Sequence, residues 1–209
     1  MSNKLDRKRK TKDPCPRCAL HKDLCICAVI PSLNLKTKVT LVIHAKELKR
    51  TTNTGRLAMD ALVNSQMCVR GLKDEPLSLE NILTDQYESV LFYPSDDAIE
   101  LEEFVRARNS RAGKLPIQLI VPDGNWRQAS KVSTRQSELA ALPRVKITQA
   151  NLGASHLRKE HFSEGMSTLE AIASALRIIE GDVVGATLLA LYQAKLQATL
   201  RGRGQSELA

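Results

Sequence analysis

Aromatic residues are scarce in this chain: one tryptophan, three tyrosines and three phenylalanines in 209 residues. An aromatic set among polar residues is therefore conspicuous. Long apolar runs are also missing, and without a stretch of roughly 18 apolar residues a membrane-spanning helix is excluded on length. The basic first dozen residues run into Asp13-Pro14-Cys15 and not into an apolar core segment, so they do not read as a secretory signal. A soluble, cytoplasmic protein is expected. Several signatures are absent too. The chain has no G-x-x-x-x-G-K-[ST] phosphate loop, no G-x-G-x-x-G, no H-E-x-x-H and no G-x-S-x-G. These absences set aside the ordinary NTPase, dehydrogenase, zinc protease and α/β-hydrolase.

What is present is a basic chain. Its 31 Lys and Arg against 23 Asp and Glu leave a formal charge of +8, a bias toward a polyanionic partner. Lys4, Arg7, Lys8, Arg9, Lys10 and Lys12 crowd the start, and Arg201 and Arg203 lie near the end. Residues 1–12 read as a disordered leader and 201–209 as a flexible tail. At 43% hydrophobic, the remainder can bury one respectable core, too short for two large domains.

Cys15-Pro-Arg-Cys18 and Cys25-Ile-Cys27 form a C-x2-C-x6-C-x-C set. Four soft ligands so close together suit tetrahedral zinc, and four thiolates leave no open coordination position. The metal's work would be structural, folding a module over 13–37 that cannot bury a core of its own. His21 is an alternative fourth ligand. Pro14 to Cys18 matches the P-C-x-x-C half of the nucleobase-deaminase signature, but the H-x-E half is missing upstream. Cys68 reads as an inert thiol.

Past residue 37 the pattern becomes regular. Lys38–His44, Ser89–Tyr93, Ile117–Val121 and Val145–Thr148 are β-branched runs of strand length. Helical patterns cover Gly55–Met67, Ile99–Arg108 and Trp126–Leu139. This alternation predicts a mainly parallel sheet with helices on its faces. Two helices close the chain, with apolar stripes at Leu169, Ile172, Leu176 and Ile179, then at Leu188, Tyr192, Leu196 and Leu200, parted by Gly181-Asp182.

Chemistry gathers at three junctions. Leu119-Ile-Val-Pro-Asp123-Gly124-Asn125-Trp126 ends an apolar strand on an acid, a glycine, an amide and the only tryptophan. In open α/β sheets ligands bind where strands end; the plainer role for the acid is a helix cap. Arg50-Thr-Thr-Asn53-Thr54-Gly55-Arg56 opens a helix after the first strand and offers either an anion site or a well-capped helix. Ser167-Thr168-Leu-Glu170 has the spacing of a capping box. His156 and His161 lie five apart and do not share a helix face, so solvated charge, or phosphate contact by Arg158 and Lys159, is preferred there over a metal pair.

Taken in order, Cys15-x-x-Cys18…Cys25-x-Cys27, Arg50-x-x-Asn53-Thr54-Gly55, Tyr93-Pro94, Asp123-Gly124-Asn125-Trp126 and Ser167-Thr168-x-Glu170 resemble the DTW-domain family over about residues 13 to 200. That resemblance implies a SPOUT-like α/β domain over 38–200 with a C-terminal knotted helical crossover, a rare exception to unknotted topology. It implies a tRNA-uridine aminocarboxypropyltransferase, moving the 3-amino-3-carboxypropyl group of S-adenosylmethionine to N3 of a variable-loop uridine and releasing 5′-methylthioadenosine. Asp123 would then take the N3 proton, with Asn125 beside it and Trp126 stacking on a base. Arg50, Asn53, Thr54, Gly55, Tyr93, Pro94, Gly124, Ser167, Thr168 and Glu170, with Asp123, would line the donor pocket, and Cys15, Cys18, Cys25 and Cys27 would hold structural Zn2+. The partner implied is tRNA, with the protein a monomer or a SPOUT-like homodimer. One departure is visible: the family carries threonine where this chain has Asn125, an amide that both donates and accepts in place of a hydroxyl. A SPOUT-type methyltransferase, a non-catalytic zinc-containing RNA-binding protein, and a donor-dependent enzyme acting on ribosomal RNA or protein remain the competing readings.

Overall fold

The architecture follows from strands whose residues are apolar on both faces. In a computed structural model describing residues 13–48, 50–72, 77–124, 126–148 and 166–204, six strands form one sheet: β1 (Lys38–His44), β2 (Ser65–Arg70), β3 (Glu88–Phe92), β4 (Ile99–Glu100), β5 (Ile117–Asp123) and β6 (Arg144–Lys146). Their order is β2-β1-β5-β3-β6-β4, and every pairing is parallel. The helices are α1 (Gly55–Ala61), α2 (Leu101–Asn109), α3 (Trp126–Arg135), α4 (Ser137–Ala140), α5 (Thr168–Glu180) and α6 (Asp182–Gly202).

Side chains alternate across the sheet, as a period of two requires. Val39, Leu41 and Ile43 of β1, Val90 and Phe92 of β3, and Ile117, Leu119 and Val121 of β5 join the larger core, which α1, α2, α5 and α6 cover. Val42, Leu91 and Ile120 face the other way, onto Val132 of α3 and Leu139 of α4. Both layers are required because a parallel sheet buries both faces. A line of polar groups crosses the interior. Gln118 donates to Thr40 Oγ1 at 2.7 Å and accepts from Ser89 Oγ at 2.9 Å, while Gln66 donates to the same Thr40 oxygen at 3.1 Å. Since Thr40 and Gln118 are fully buried, a slip in register would strand them without partners, so this line favours the observed alignment of β2, β1, β5 and β3.

Several expected elements change. The helix expected over Gly55–Met67 ends at Ala61, because Leu62 turns extended (φ −109°, ψ 116°) and Ser65 to Arg70 pair with Val39 to His44 as β2. β2 is an edge strand, only half buried throughout, so its alternation in sequence is weak. The helix expected from Ile99 begins at Leu101, Ile99 and Glu100 having paired with β6. The sheet thus has six strands where four were expected. β5 also runs two residues further, through Pro122, which is tolerated because β3 pairs only as far as Ile120 and leaves β5 paired on one side beyond it. β6 spans Arg144–Lys146, shorter and earlier than expected, and a break at Gln136 separates α3 from α4. The predicted apolar stripes of the last two helices are buried at Leu169, Ile172, Leu176, Leu188, Tyr192 and Leu196. Gly185 lets α6 approach α5, since a Cβ there would lie 2.4 Å from that of Arg177. The crossover from β6 to α5 runs through 149–165, outside the described residues, as do His156, His161, Arg158, Lys159 and the leader 1–12.

Candidate active site

β1 and β5 are neighbours whose continuations leave in opposite directions: β1 leads through α1 to β2 at one edge, β5 through α3 toward β6 on the other side. The two helices also cover opposite faces. Such a divergence opens a crevice at the carboxyl ends of the strands, the usual ligand position in open α/β sheets. Asp123, the last residue of β5 and paired with Ile43 of β1, stands there and is 6% exposed.

Its carboxylate draws three segments together. Oδ2 accepts from Asn53 Nδ2 at 2.6 Å and Oδ1 from Thr168 Oγ1 at 2.5 Å. Asn53 turns its own Oδ1 to the backbone N–H of Arg56 at 3.1 Å, satisfying a free N–H in the first turn of α1. Thr54 Oγ1 accepts from the Leu169 N–H at 3.2 Å, a second tie between the starts of α1 and α5. Gly55 is required by this closeness. A Cβ at that position would lie 2.9 Å from Leu41 Cδ2 and 3.2 Å from Asp123 Oδ2. The carboxylate is therefore fixed by partners 70 and 45 positions away in the chain, and each oxygen retains a second lone pair for one further donor.

At the mouth of α5, Ser167 and Glu170 make the reciprocal capping box expected from their spacing: Ser167 Oγ accepts from the Glu170 N–H at 3.4 Å and Glu170 Oε2 from the Ser167 N–H at 2.9 Å. Gly124 follows Asp123 with φ +155°, and a Cβ there would meet Gln128 Oε1 at 2.8 Å. Arg50 is half exposed, its Nε 3.1 Å from the buried carboxylate of Glu47. Tyr93 extends β3, donates its N–H to the Val145 carbonyl at 3.1 Å and packs against the core beneath α3 and α4. Burial there pushes its phenol up, opposed by a bond with Ser130.

The structure adds groups the sequence did not single out. His44 ends β1, its Nδ1 accepting from the Lys46 N–H at 3.1 Å and its Nε2 set against Gly71, where a Cβ would come within 2.9 Å. Arg70 ends β2 and donates to the Gln128 carbonyl of α3 at 2.7 Å. Burial first, then the charges of Arg70 and Lys46, hold the His44 imidazole below its usual range. Reading Arg70 as part of this edge depended on seeing β2, which the sequence hid.

The cysteines form the second constellation. The Sγ atoms of Cys15, Cys18, Cys25 and Cys27 lie within 4.8 Å of one another, with Cys15 to Cys27 at 3.5 Å, Cys15 to Cys25 at 3.7 Å and Cys18 to Cys25 at 3.8 Å. Sulfurs at the corners of a tetrahedron around zinc would be about 3.8 Å apart, given Zn–S bonds near 2.3 Å. Backbone N–H groups of Cys18 and Arg17 pull the Cys15 thiol down to about 6, while burial pushes Cys27 up to about 12. His21 stands apart from this group, its Nδ1 accepting from the Asp23 N–H at 3.3 Å. Cys18, Leu20 and Ile26 belong to the same core as α5 and α6.

The family model of the DTW domain matches residues 12–200. The chain belongs to the DTW-domain family. This DTW domain is 26% identical over 202 residues to tRNA-uridine aminocarboxypropyltransferase 2 of Mus musculus, covering 93% of this chain and 66% of that protein. It is 27% identical over 176 residues to tRNA-uridine aminocarboxypropyltransferase 2 of Drosophila melanogaster, covering 81% and 67%. To tRNA-uridine aminocarboxypropyltransferase A of Arabidopsis thaliana it is 27% identical over 193 residues, covering 80% and 73%. The chain spans about two thirds of the length of the first two of these relatives. No solved structure gives a significant match.

Of the DTW-domain residues singled out from sequence, Asn53 and Thr168 bond Asp123, Gly55 lies against it, and Thr54 bonds the Leu169 N–H next to Thr168. Gly124, Ser167 and Glu170 adjoin them in the chain. Trp126 opens α3 two residues beyond Gly124. Asn125 lies outside the described residues. Tyr93 and Pro94 follow β3, and Arg50 is turned to Glu47.

Proposed function

We propose that this chain transfers the 3-amino-3-carboxypropyl group of S-adenosylmethionine to N3 of a uridine in the tRNA variable loop. The relatives' names supply the transferred group and the tRNA uridine, while the donor, the N3 position and the variable loop are what the family resemblance implies. The single observation that carries it to this chain is the Asp123 carboxylate, fixed by Asn53 and Thr168 at the divergence of β1 and β5.

The chemistry asks for positioning and a base. Uridine N3 attacks the γ-carbon of the donor's amino-acid arm; the N–C bond forms, the C–S bond breaks, and the sulfonium leaves as neutral 5′-methylthioadenosine. No general acid is needed, because the leaving thioether carries no charge. The N3 proton goes to Asp123, whose second lone pairs are aimed by the two bonds it already accepts. Held from both sides, the carboxylate has little rotation left to lose when substrate arrives. Trp126 provides a stacking surface for a base, and Asn125 a side-chain N–H to donate to a uracil carbonyl oxygen. Arg50 and the segment Asn53 to Gly55 receive the donor's carboxylate, Arg50 exchanging Glu47 for it. Gly124, Tyr93 and Pro94, together with Ser167, Thr168 and Glu170, line the rest of the donor pocket.

The reading retains a SPOUT-like domain with a C-terminal knotted helical crossover. It also retains a zinc module over 13–37, where Cys15, Cys18, Cys25 and Cys27 would hold a structural ion whose four thiolates leave no position for substrate. Mass spectrometry of nucleosides from individual tRNAs tests the whole. A deletion strain should lack one modified uridine, restored by the wild-type gene and not by Asp123→Asn. Restoration by the variant would sink the assignment of Asp123, and an unchanged tRNA would sink the function.

A further inference from the structure

Lys195 is the largest buried side chain with no part in the site above. It lies on α6 at 1% exposure, inside the apolar stripe between Tyr192 and Leu196. A lysine is almost never fully buried unless paired. Among the described residues its ammonium makes no ion pair with a carboxylate; Nζ donates instead to the backbone carbonyl of Cys18. Burial holds its ammonium below the usual lysine range, Cys18, Cys15 and Cys27 oppose that shift, and Arg56 adds to it.

We infer that Lys195 is a positioning residue for the four-cysteine centre: its ammonium holds the Cys18 turn in place and offsets the excess negative charge of four thiolates. The inference rests on the reading of that centre as a metal site. Four thiolates around a divalent ion carry two negative charges more than the metal neutralises, and at this centre Cys18 is buried, Cys15 and Cys27 are half-buried and Cys25 is exposed. A buried ammonium without a counter-charge is costly, and so is an uncompensated anionic centre; placed together, each removes the other's penalty. The connection also gives α6 a role. Gly202 at its end packs on Leu24, where a Cβ would lie 3.0 Å from Leu24 Cδ1, so the helix grips the module at two points seven residues apart.

The account predicts opposite effects on the two metal states. In Lys195→Met, of similar length and no charge, zinc affinity measured against a competing chelator should fall at least tenfold from the wild type, within the range of roughly 10–100-fold for outer-shell partners. The metal-free variant should nevertheless unfold at a higher temperature than the metal-free wild type, because no unpaired charge is then buried. A lysine that merely packs would lower both metal states together, and that result, or an unchanged zinc affinity, overturns the inference. Should the variant fail to fold, hydrogen exchange on the wild type decides: stripping the metal should expose amides of α6 around Lys195 while α5 keeps its protection, and an unaffected α6 overturns the inference. A purified wild-type chain that takes up no zinc removes the metal reading itself, and this inference with it.

Discussion

Thr168 Oγ1 donates to Asp123 Oδ1 at 2.5 Å while Asn53 Nδ2 donates to Oδ2 at 2.6 Å, so one carboxylate joins the first turn of α5 to the approach of α1. Asparagine at 123 can satisfy both partners, accepting from Asn53 and donating to the threonine oxygen. Asp123→Asn is therefore expected to stay within about 1 kcal/mol of wild-type stability. Its turnover should fall by about 10²- to 10⁴-fold, the range for loss of a general base. Thermal unfolding beside a turnover assay checks both; wild-type rates in a folded variant would refute the role of the carboxylate.

Thr168→Val removes a donor and keeps the shape. Leaving a poorly solvated acceptor without its partner costs about 1–3 kcal/mol, which in a chain of this size is a drop of roughly 2–4 °C for each kcal/mol. Turnover should fall with it, since Asp123 loses one of its two aiming bonds. Thr168→Ser keeps the hydroxyl and should recover both. If valine and serine behave alike, the hydrogen bond does not aim the carboxylate.

At Gly55 two contacts can be separated. Alanine there would press on Leu41 Cδ2 at 2.9 Å and on Asp123 Oδ2 at 3.2 Å, so Gly55→Ala should lose about 1–3 kcal/mol through overpacking, as well as turnover. Adding Leu41→Val relieves only the first contact. The double variant is expected to regain stability without activity, measured by unfolding temperature and by modified uridine formed. Recovery of both would place the strain on Leu41 alone.

His44 supplies a pH dependence. Its imidazole is held below the usual 6.5 by burial and by Arg70 and Lys46, so the unfolded chain takes up the proton first as pH falls. The stability contributed by neutral His44 is thus fully present above about 6.5 and is lost as pH drops through the lower folded value. Unfolding temperatures between pH 7.5 and 5 should show this acid limb, and His44→Asn, which keeps an acceptor for the Lys46 N–H, should flatten it. An unchanged limb would assign the loss to other groups.

Much of the site was legible because the residues that meet in space sit at loop-to-helix junctions that are readable one at a time. Asp123 after an apolar run, Asn53-Thr54-Gly55 before a helix, and the Ser167–Glu170 box each announced themselves by residue type and spacing; their mutual bonds span 45 to 115 positions and have no local signature. The four cysteines were legible for the same local reason. β2 was not, since an edge strand half buried along its length shows no clean alternation, and Met67 and Cys68 extended a helical pattern that Leu62 breaks. Missing that strand also hid Arg70 and its bond to α3. Lys195 left one trace, a cation within an apolar stripe, but only the fold shows that Cys18 is what it faces.

The most direct test is to identify the small molecule released when the purified chain is incubated with S-adenosylmethionine and unmodified tRNA. The account predicts 5′-methylthioadenosine, formed in step with a uridine carrying the 3-amino-3-carboxypropyl group and abolished by Asp123→Asn. Release of S-adenosylhomocysteine with a methylated nucleoside would contradict it, as would a tRNA bound but chemically unchanged.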